Sequence, residues 1–367
     1  MPRPPKTPLR APPAFAVRAA LALRRALLHA ADLVVPAQLA VFERVAGIAN
    51  AVVIAELSRL RVSDLVAKRS LSATELAEAT KVDPDTMERT MRAAVALGLF
   101  KRDAQGRFTN NRLSSALRWS ERYSVGPLVE YFGSGSNLAA WCDFGETLRT
   151  GQSAFERVHG KSVWEWFDEH PGERETFAEC MMTMTLFEAP GIAAAYPFGD
   201  LRTLCDVGGG RGTLLSEVLV RNPKLRAMLC DAPSVLESAR VLLSERGVLE
   251  RVALLPGSFF NAVPKGADAY LMKNVLHDWD DERCIAILKN CRAAMERGQK
   301  LLVVEALIED TTDNLGAFSD LQMLVVCSGG RERGRAAFQH LLDSSGFRLE
   351  RVVKTPTPMH ILESVAL

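Results

Sequence analysis

"LCDVGGGRGTLL", residues 204–215, sets four glycines between a short apolar run and the start of a helical one. With "SEVLVRN" following, it reads as strand, turn and helix. Gly208, Gly209, Gly210 and Gly212 carry no Cβ, so a ligand can come close to the main chain. In open α/β sheets ligands bind beyond the carboxyl ends of strands, where such turns lie. The spacing from Gly208 is G-x-G-x-G. A dinucleotide fingerprint would need a third glycine at 213, where the chain has Thr213. Taken alone, a glycine turn also serves close packing of helix on strand.

The alternation continues from about residue 200 to 367. "RAMLCD", "VALLPGS", "DAYLMKNVLH" and "KLLVVEAL" are short apolar runs, and between them lie "SVLESARVLLSERG" and "DERCIAILKNCRAAM". That order predicts an α/β domain with a parallel sheet covered on both faces. The tail "AFQHLLDSSGFRLERVVKTPTPMHILESVAL" adds a helix ended by Gly346 and two further strands. Asp231 closes the second strand, roughly 20 residues past the glycines, where an acid can accept both ribose hydroxyls. The alternative for Asp231 is a loop acid or a cap for "PSVLESAR". At the third strand, Phe259 and Phe260 suit an adenine ring or the core equally. At the exit of the fourth, "LMKNVLHDWDDE" presents Lys273 and His277, and a neutral imidazole can take a proton near neutral pH. Glu305 ends the fifth strand and Glu332 lies in "GGRERGRAAF". A carboxylate beside a histidine fixes its tautomer and stabilises its protonated form. The bland readings are a helix cap at Asp278, a structural acid at Glu305 and a surface charge run from Arg331 to Arg335.

Upstream, residues 1–13 read as a disordered Pro-rich start, followed by an amphipathic helix whose solvated face carries Arg18, Arg24 and Arg25. These arginines interrupt any signal-peptide core, and no run reaches the roughly 18 uninterrupted apolar residues of a membrane span. Residues 14–120 read as a helical domain. Within it, Ser72 and Glu75 form a capping box, Asp83 caps a helix that starts at Pro84 and stops at Gly98, and a hairpin turns near Gly106. Helix, turn, helix and hairpin make a winged helix. Its second helix offers Glu88, Arg89 and Arg92 but no dense basic face, which favours packing or dimerisation over DNA reading. Residues 121–199 read as a helical linker and pocket region. There Met181, Met182 and Met184 suit either an aromatic substrate or the helix core. The net charge is +1, so no overall field draws the chain to nucleic acid or an anionic membrane. Seven scattered Cys with no C-x-x-C pair point to a reducing cytosol and to neither a zinc site nor a disulfide framework, and no metal-ligand cluster is visible.

Together, "DVGGGRGTLL", "LMKNVLHDWDDE" and "DLQMLVVCSGGRERGRAAFQHLLDSSGF" resemble the S-adenosylmethionine-dependent O-methyltransferases of specialised metabolism, the caffeate-type plant enzymes and their bacterial polyketide-tailoring relatives, over residues 30–365. The resemblance implies a Rossmann-like class I methyltransferase domain behind a mostly helical winged-helix dimerisation domain. It implies a cytoplasmic homodimer in which the partner's N-terminal segment helps close the pocket, a small-molecule substrate, and no nucleic-acid or membrane partner. His277 would be the general base, flanked and oriented by Glu305 and Glu332. Asp206, Gly208, Gly210, Asp231, Phe259, Lys273 and Thr185 would bind S-adenosyl-L-methionine, with Lys273 on its carboxylate and Trp279 beside the adenine. In the family's third-strand motif an Asp contacts the adenine amino group; here Ser258 stands in that place. Methylation of nitrogen or a carboxylate, a non-methylating reaction on the same scaffold, and a winged-helix regulator are the alternatives.

Overall fold

A computed structural model describes residues 7–8, 13–308 and 314–367. Most of the Pro-rich start lies outside the described residues. The chain forms two compact units interleaved in sequence. One holds residues 19–138 and 171–184; the other holds residues 139–170 and 185–367, and the helix Pro171–Ala195 contributes to both.

In the first unit, helix α1 (Ala14–Leu33) from residue 19 onward and helix α2 (Ala37–Arg59) precede the winged helix. Ser72 accepts the Glu75 amide and Glu75 returns to the Ser72 amide, which starts the helix Ala73–Thr80. Asp83 caps the helix Pro84–Ala96, and Gly98 follows it at φ +73°. Strands β1 (Phe100–Arg102) and β2 (Phe108–Asn110) then pair antiparallel. Phe108, Leu76, Met91 and Leu57 close a small core. The arginines of the second winged-helix helix are engaged by acids: Arg89 with Asp85, and Arg92 with Glu88. By length and composition α2 could cross a membrane, although Glu43, Arg44 and Glu56 break its apolar run.

The second unit is built on a seven-stranded sheet. In chain order its strands are β3 (Thr203–Val207), β4 (Arg226–Asp231), β5 (Val252–Pro256), β6 (Ala269–Lys273), β7 (Lys300–Ala306), β8 (Phe347–Lys354) and β9 (Met359–Ala366); in space the order is β5-β4-β3-β6-β7-β9-β8. β3 to β7 run parallel, as the alternation predicts. β8 and β9 do not: β9 is antiparallel to both β7 and β8. The short link from Lys354 to Met359 has no room for the helical crossover that a parallel pair needs, so the last two strands form a hairpin and the sheet is mixed.

Side-chain alternation sorts the strands onto two cores. Leu204, Ala269, Leu271, Leu302 and Val304 face one core, which they share with Leu215 and Ile192. Cys205, Tyr270, Met272, Leu301 and Val303 face the other, with Ile287, Leu288, Phe338 and Leu341. The order switches between β3 and β6, and the loops at the carboxyl ends there carry the polar residues singled out above.

Candidate active site

The turn after β3 runs through Gly208 at φ +68°, Gly210 at φ +59° and Gly212 at φ +73°. A Cβ at Gly208 would stand 2.9 Å from Val275 Cγ2 and 3.3 Å from Phe259, so this glycine is a packing requirement. A Cβ at Gly210 would meet nothing within 4 Å. The two readings of the turn therefore both hold, at different residues: Gly208 is closed by the core, and Gly210 borders open space. Asp231 Oδ2 accepts the Gly210 amide at 2.8 Å and Oδ1 accepts the Ala232 amide at 2.7 Å. Each oxygen keeps a further lone pair for a ligand hydroxyl. Burial pushes the Asp231 carboxyl up against these hydrogen bonds. Asp206, buried behind the turn, is pushed up to about 7 by burial and by the charge of Asp231, with Lys273 opposing.

Alternation carries Lys273 to the same face as Leu271. There its Nζ lies 2.9 Å from Glu188 Oε2 and donates to Thr185 Oγ1 at 3.3 Å. The family resemblance implies a cofactor carboxylate for Lys273 and a cofactor contact for Thr185, and Glu188 is missing from that reading. Glu188 stands three residues beyond Thr185 on one helix, and that i, i+3 spacing was the available signal.

The loop after β5 folds over the turn. Ser258 is exposed, and its Oγ accepts the Phe260 amide at 3.3 Å. The Asn290 side-chain amide holds the loop by donating to the carbonyls of Phe259 and Phe260 at 2.9 and 2.8 Å, a role no motif signalled. Trp279 stacks on Trp164, with centroids 5.8 Å apart, and meets Phe260 edge-on at 4.8 Å. Its indole Nε1 is buried without a hydrogen-bond partner among the described residues.

On the other face, His277 sits in a single 3₁₀ turn, Leu276–Asp278, just after Asn274 at φ +53°. Glu305 shares the strand face of Leu301 and Val303. Its Oε1 accepts the Val275 and Leu276 amides at 3.1 and 3.0 Å. Its Oε2 lies 3.4 Å from His277 Nδ1. Glu332 Oε1 lies 3.4 Å from the same nitrogen and accepts the Ser319 hydroxyl at 2.7 Å. Asp278 Oδ1 is 3.5 Å from His277 Nε2. The bland reading of a surface charge run fails, because Glu332 and Arg333 are 7% and 2% exposed.

This arrangement changes the proton affinity of the imidazole from that of a free ring. Burial lowers the affinity of His277 for a proton, but Glu305, Asp278 and Glu332 together outweigh it and raise the ring to about 10. Burial pushes Glu305 up to about 7 and Asp278 to about 6, with the imidazolium opposing. Glu332 is held low: its pairing with His277 and its Ser319 hydrogen bond overcome burial. The absence of a metal-ligand cluster in the sequence also needs amending. Folding gathers His277, Glu305 and Glu332 with potential ligand atoms within 4.8 Å of one another.

A family model for the O-methyltransferase domain matches residues 141–348, and one for the O-methyltransferase dimerisation domain matches residues 42–119. The chain belongs to the O-methyltransferase family. It is 38% identical over 308 residues to the mitomycin biosynthesis 6-O-methyltransferase of Streptomyces lavendulae, covering 83% of this chain and 87% of that protein. Among solved structures it is similar to LaPhzM, with a TM-score of 0.88, 34% identity and coverage of 91% of this chain and 100% of that one. It is also similar to the neocarzinostatin-biosynthesis O-methyltransferase NcsB1 in complex with S-adenosylmethionine and 2-hydroxy-5-methyl naphthoic acid, with a TM-score of 0.77, 31% identity and coverage of 87% and 96%. The methyl donor of this O-methyltransferase is S-adenosylmethionine. The open room at Gly210, the spare acceptor capacity of Asp231 and the unpartnered Trp279 indole fit such a ligand.

The two glycines should separate by substitution. Gly208→Ala forces a Cβ into Val275 at a left-handed φ and is expected to lower the melting temperature sharply. Gly210→Ala carries only the left-handed strain of about 1–2 kcal/mol and should fold. Calorimetry should then show S-adenosylhomocysteine binding weakened by about tenfold or more, about 1.4 kcal/mol, in Gly210→Ala. Unchanged affinity would show that the turn does not border the cofactor.

Proposed function

We propose that this O-methyltransferase transfers a methyl group to a hydroxyl, phenolic in character, of a small specialised metabolite, with His277 as general base. The observation that carries the reading is the double flanking of His277 Nδ1 by Glu305 Oε2 and Glu332 Oε1, each at 3.4 Å. Two acids on Nδ1 orient the ring, and Nε2, 3.5 Å from Asp278 Oδ1, is the nitrogen we assign to the substrate hydroxyl. In its neutral, base-active form the ring keeps its proton on Nδ1, facing the two acids, and accepts at Nε2; its raised proton affinity moves that form toward alkaline pH. The naphthoic acid bound to NcsB1 and the mitomycin relative support an aromatic hydroxyl as the acceptor class.

When bound, S-adenosylmethionine supplies a methyl already activated on a sulfonium. The protein's share is to place the acceptor oxygen in line and raise its nucleophilicity. Such a transfer needs no Lewis acid, so we assign the three gathered groups to proton handling. In the same reading Asp231 takes the ribose, with Asp206, Gly208, Gly210, Ser258 and Phe259 around the nucleoside and methionine parts. Lys273 and Thr185 take the methionine carboxylate, and Glu188 moderates the charge of Lys273.

We further propose a cytosolic homodimer. Phe42, Val45, Ile48 and Val52 lie along one side of α2 and are 67%, 65%, 62% and 38% exposed, within or bordering the matched dimerisation domain. A monomer rarely leaves so much apolar surface in one stripe, and a second copy is the fitting cover. The acid-paired arginines of the winged helix support packing over nucleic-acid binding.

His277→Ala should lower kcat by roughly 10²–10⁴ with S-adenosylhomocysteine affinity nearly intact, and the loss should shrink as pH rises and the substrate ionises by itself. Dialysis against a chelator should leave the wild-type rate unchanged. Wild-type turnover in His277→Ala would refute the base assignment.

Glu305→Gln removes one of the charges that raise the imidazole. The base is active when deprotonated, so a lower pKa moves the rising limb of the kcat/KM profile to lower pH, while the plateau falls as the ring loses a partner. A limb that stays in place would show that Glu305 does not act on His277.

Light scattering should give a dimer, and Ile48→Glu should dissociate it. A fully active wild-type monomer would remove the claim.

A further inference from the structure

Arg333 is 2% exposed, and its guanidinium is spent on main chain. Nη1 donates to the Leu276 carbonyl at 2.8 Å and Nη2 to the Trp279 carbonyl at 2.7 Å. Nε and Nη2 also reach Asp281 Oδ1 at 3.0 and 2.7 Å, but Asp281 is half exposed, so this pair alone gives little reason to bury a cation. The residue's own backbone is tied elsewhere: it forms a parallel bridge with Leu307, just past β7, and its carbonyl accepts the Ile308 amide at 3.3 Å. Next to it, the Arg331 amide donates to the His277 carbonyl at 2.8 Å. Arg333 thus links the exit of β7, which carries Glu305, to the turn after β6, which carries His277, and grips that turn on both sides of the histidine.

We propose that Arg333 is a positioning residue for the base: it fixes the 276–279 turn so that the His277 ring stands between Glu305 and Glu332. The proposal rests on the base reading above. A planar fork holds the carbonyls of 276 and 279 at once in a fixed geometry; an ammonium is a point charge with rotatable donors and does not reproduce that fork. Glu305 fixes the same turn from its amide side, so the turn is clamped through both its N–H and its C=O groups.

The test is a double-mutant cycle. Arg333→Lys keeps the charge and loses the fork; Arg333→Met loses both. Each is made in the wild-type and His277→Ala backgrounds, with melting temperature, S-adenosylhomocysteine affinity and kcat measured. Arg333→Lys is expected to fold and bind S-adenosylhomocysteine as the parent does, with kcat lower by roughly 10–100-fold. In the His277→Ala background the same change should cost no more than about twofold, the scatter of independent sites. An equal fold-loss in both backgrounds, or a fall in melting temperature with kcat untouched, would overturn the proposal. If Arg333→Met fails to fold, Arg333→Lys decides. If His277→Ala alone keeps its turnover, the base reading falls by itself. Positioning is then read from the His277 ring by NMR titration: a shifted titration in Arg333→Lys supports it, and an unchanged one refutes it.

Discussion

A single buried carboxylate organises this enzyme. Glu305 is fully out of solvent, accepts the amides of Val275 and Leu276, and faces the His277 imidazole. An ionised carboxylate in such a place is tolerated only when its lone pairs are met and a cation stands nearby. Those demands close the chain of β6 onto the end of β7 and fix where the histidine goes. They also explain the raised basicity of the ring: a proton on His277 compensates buried negative charge, so the cluster holds on to it.

The sheet divides the labour by parity. Odd-numbered residues of β7 and the turn after β6 present the acids and the histidine on one side. Lys273, two residues beyond Leu271, faces the other side with Thr185 and Glu188. The glycine turn after β3 lies between the two, with Gly208 pressed against Val275 and Gly210 left bare. Lys273 and the His277 cluster are thereby kept apart without separate domains, because successive side chains on a strand point to opposite faces.

Polar side chains make the loops over this switch point rigid. Asn290 ties the carbonyls of Phe259 and Phe260, Asp231 ties the Gly210 amide, and Ser319 and Asp320 hold Glu332 through its carboxylate and its amide. The geometry of these loops is therefore held by residues spread along the chain.

The order of apolar runs, the four glycines, the positions of His277 and Glu305 at strand exits and that of Glu332 in a Gly-rich turn before a helix were all legible in the chain, because strand alternation and turn chemistry are local. So was the winged helix, through its Ser72–Glu75 and Asp83 caps. The tail was legible as two further strands, and their antiparallel direction follows from the brevity of their link. What only the tertiary structure decided was charge and company. The sequence shows an imidazole with an ordinary affinity for protons and a run of surface charges from Arg331 to Arg335. The fold buries Glu332 and Arg333, places three carboxylates around one ring and hands Lys273 to Glu188. Burial and through-space electrostatics join residues dozens of positions apart, and no local pattern in a sequence records them.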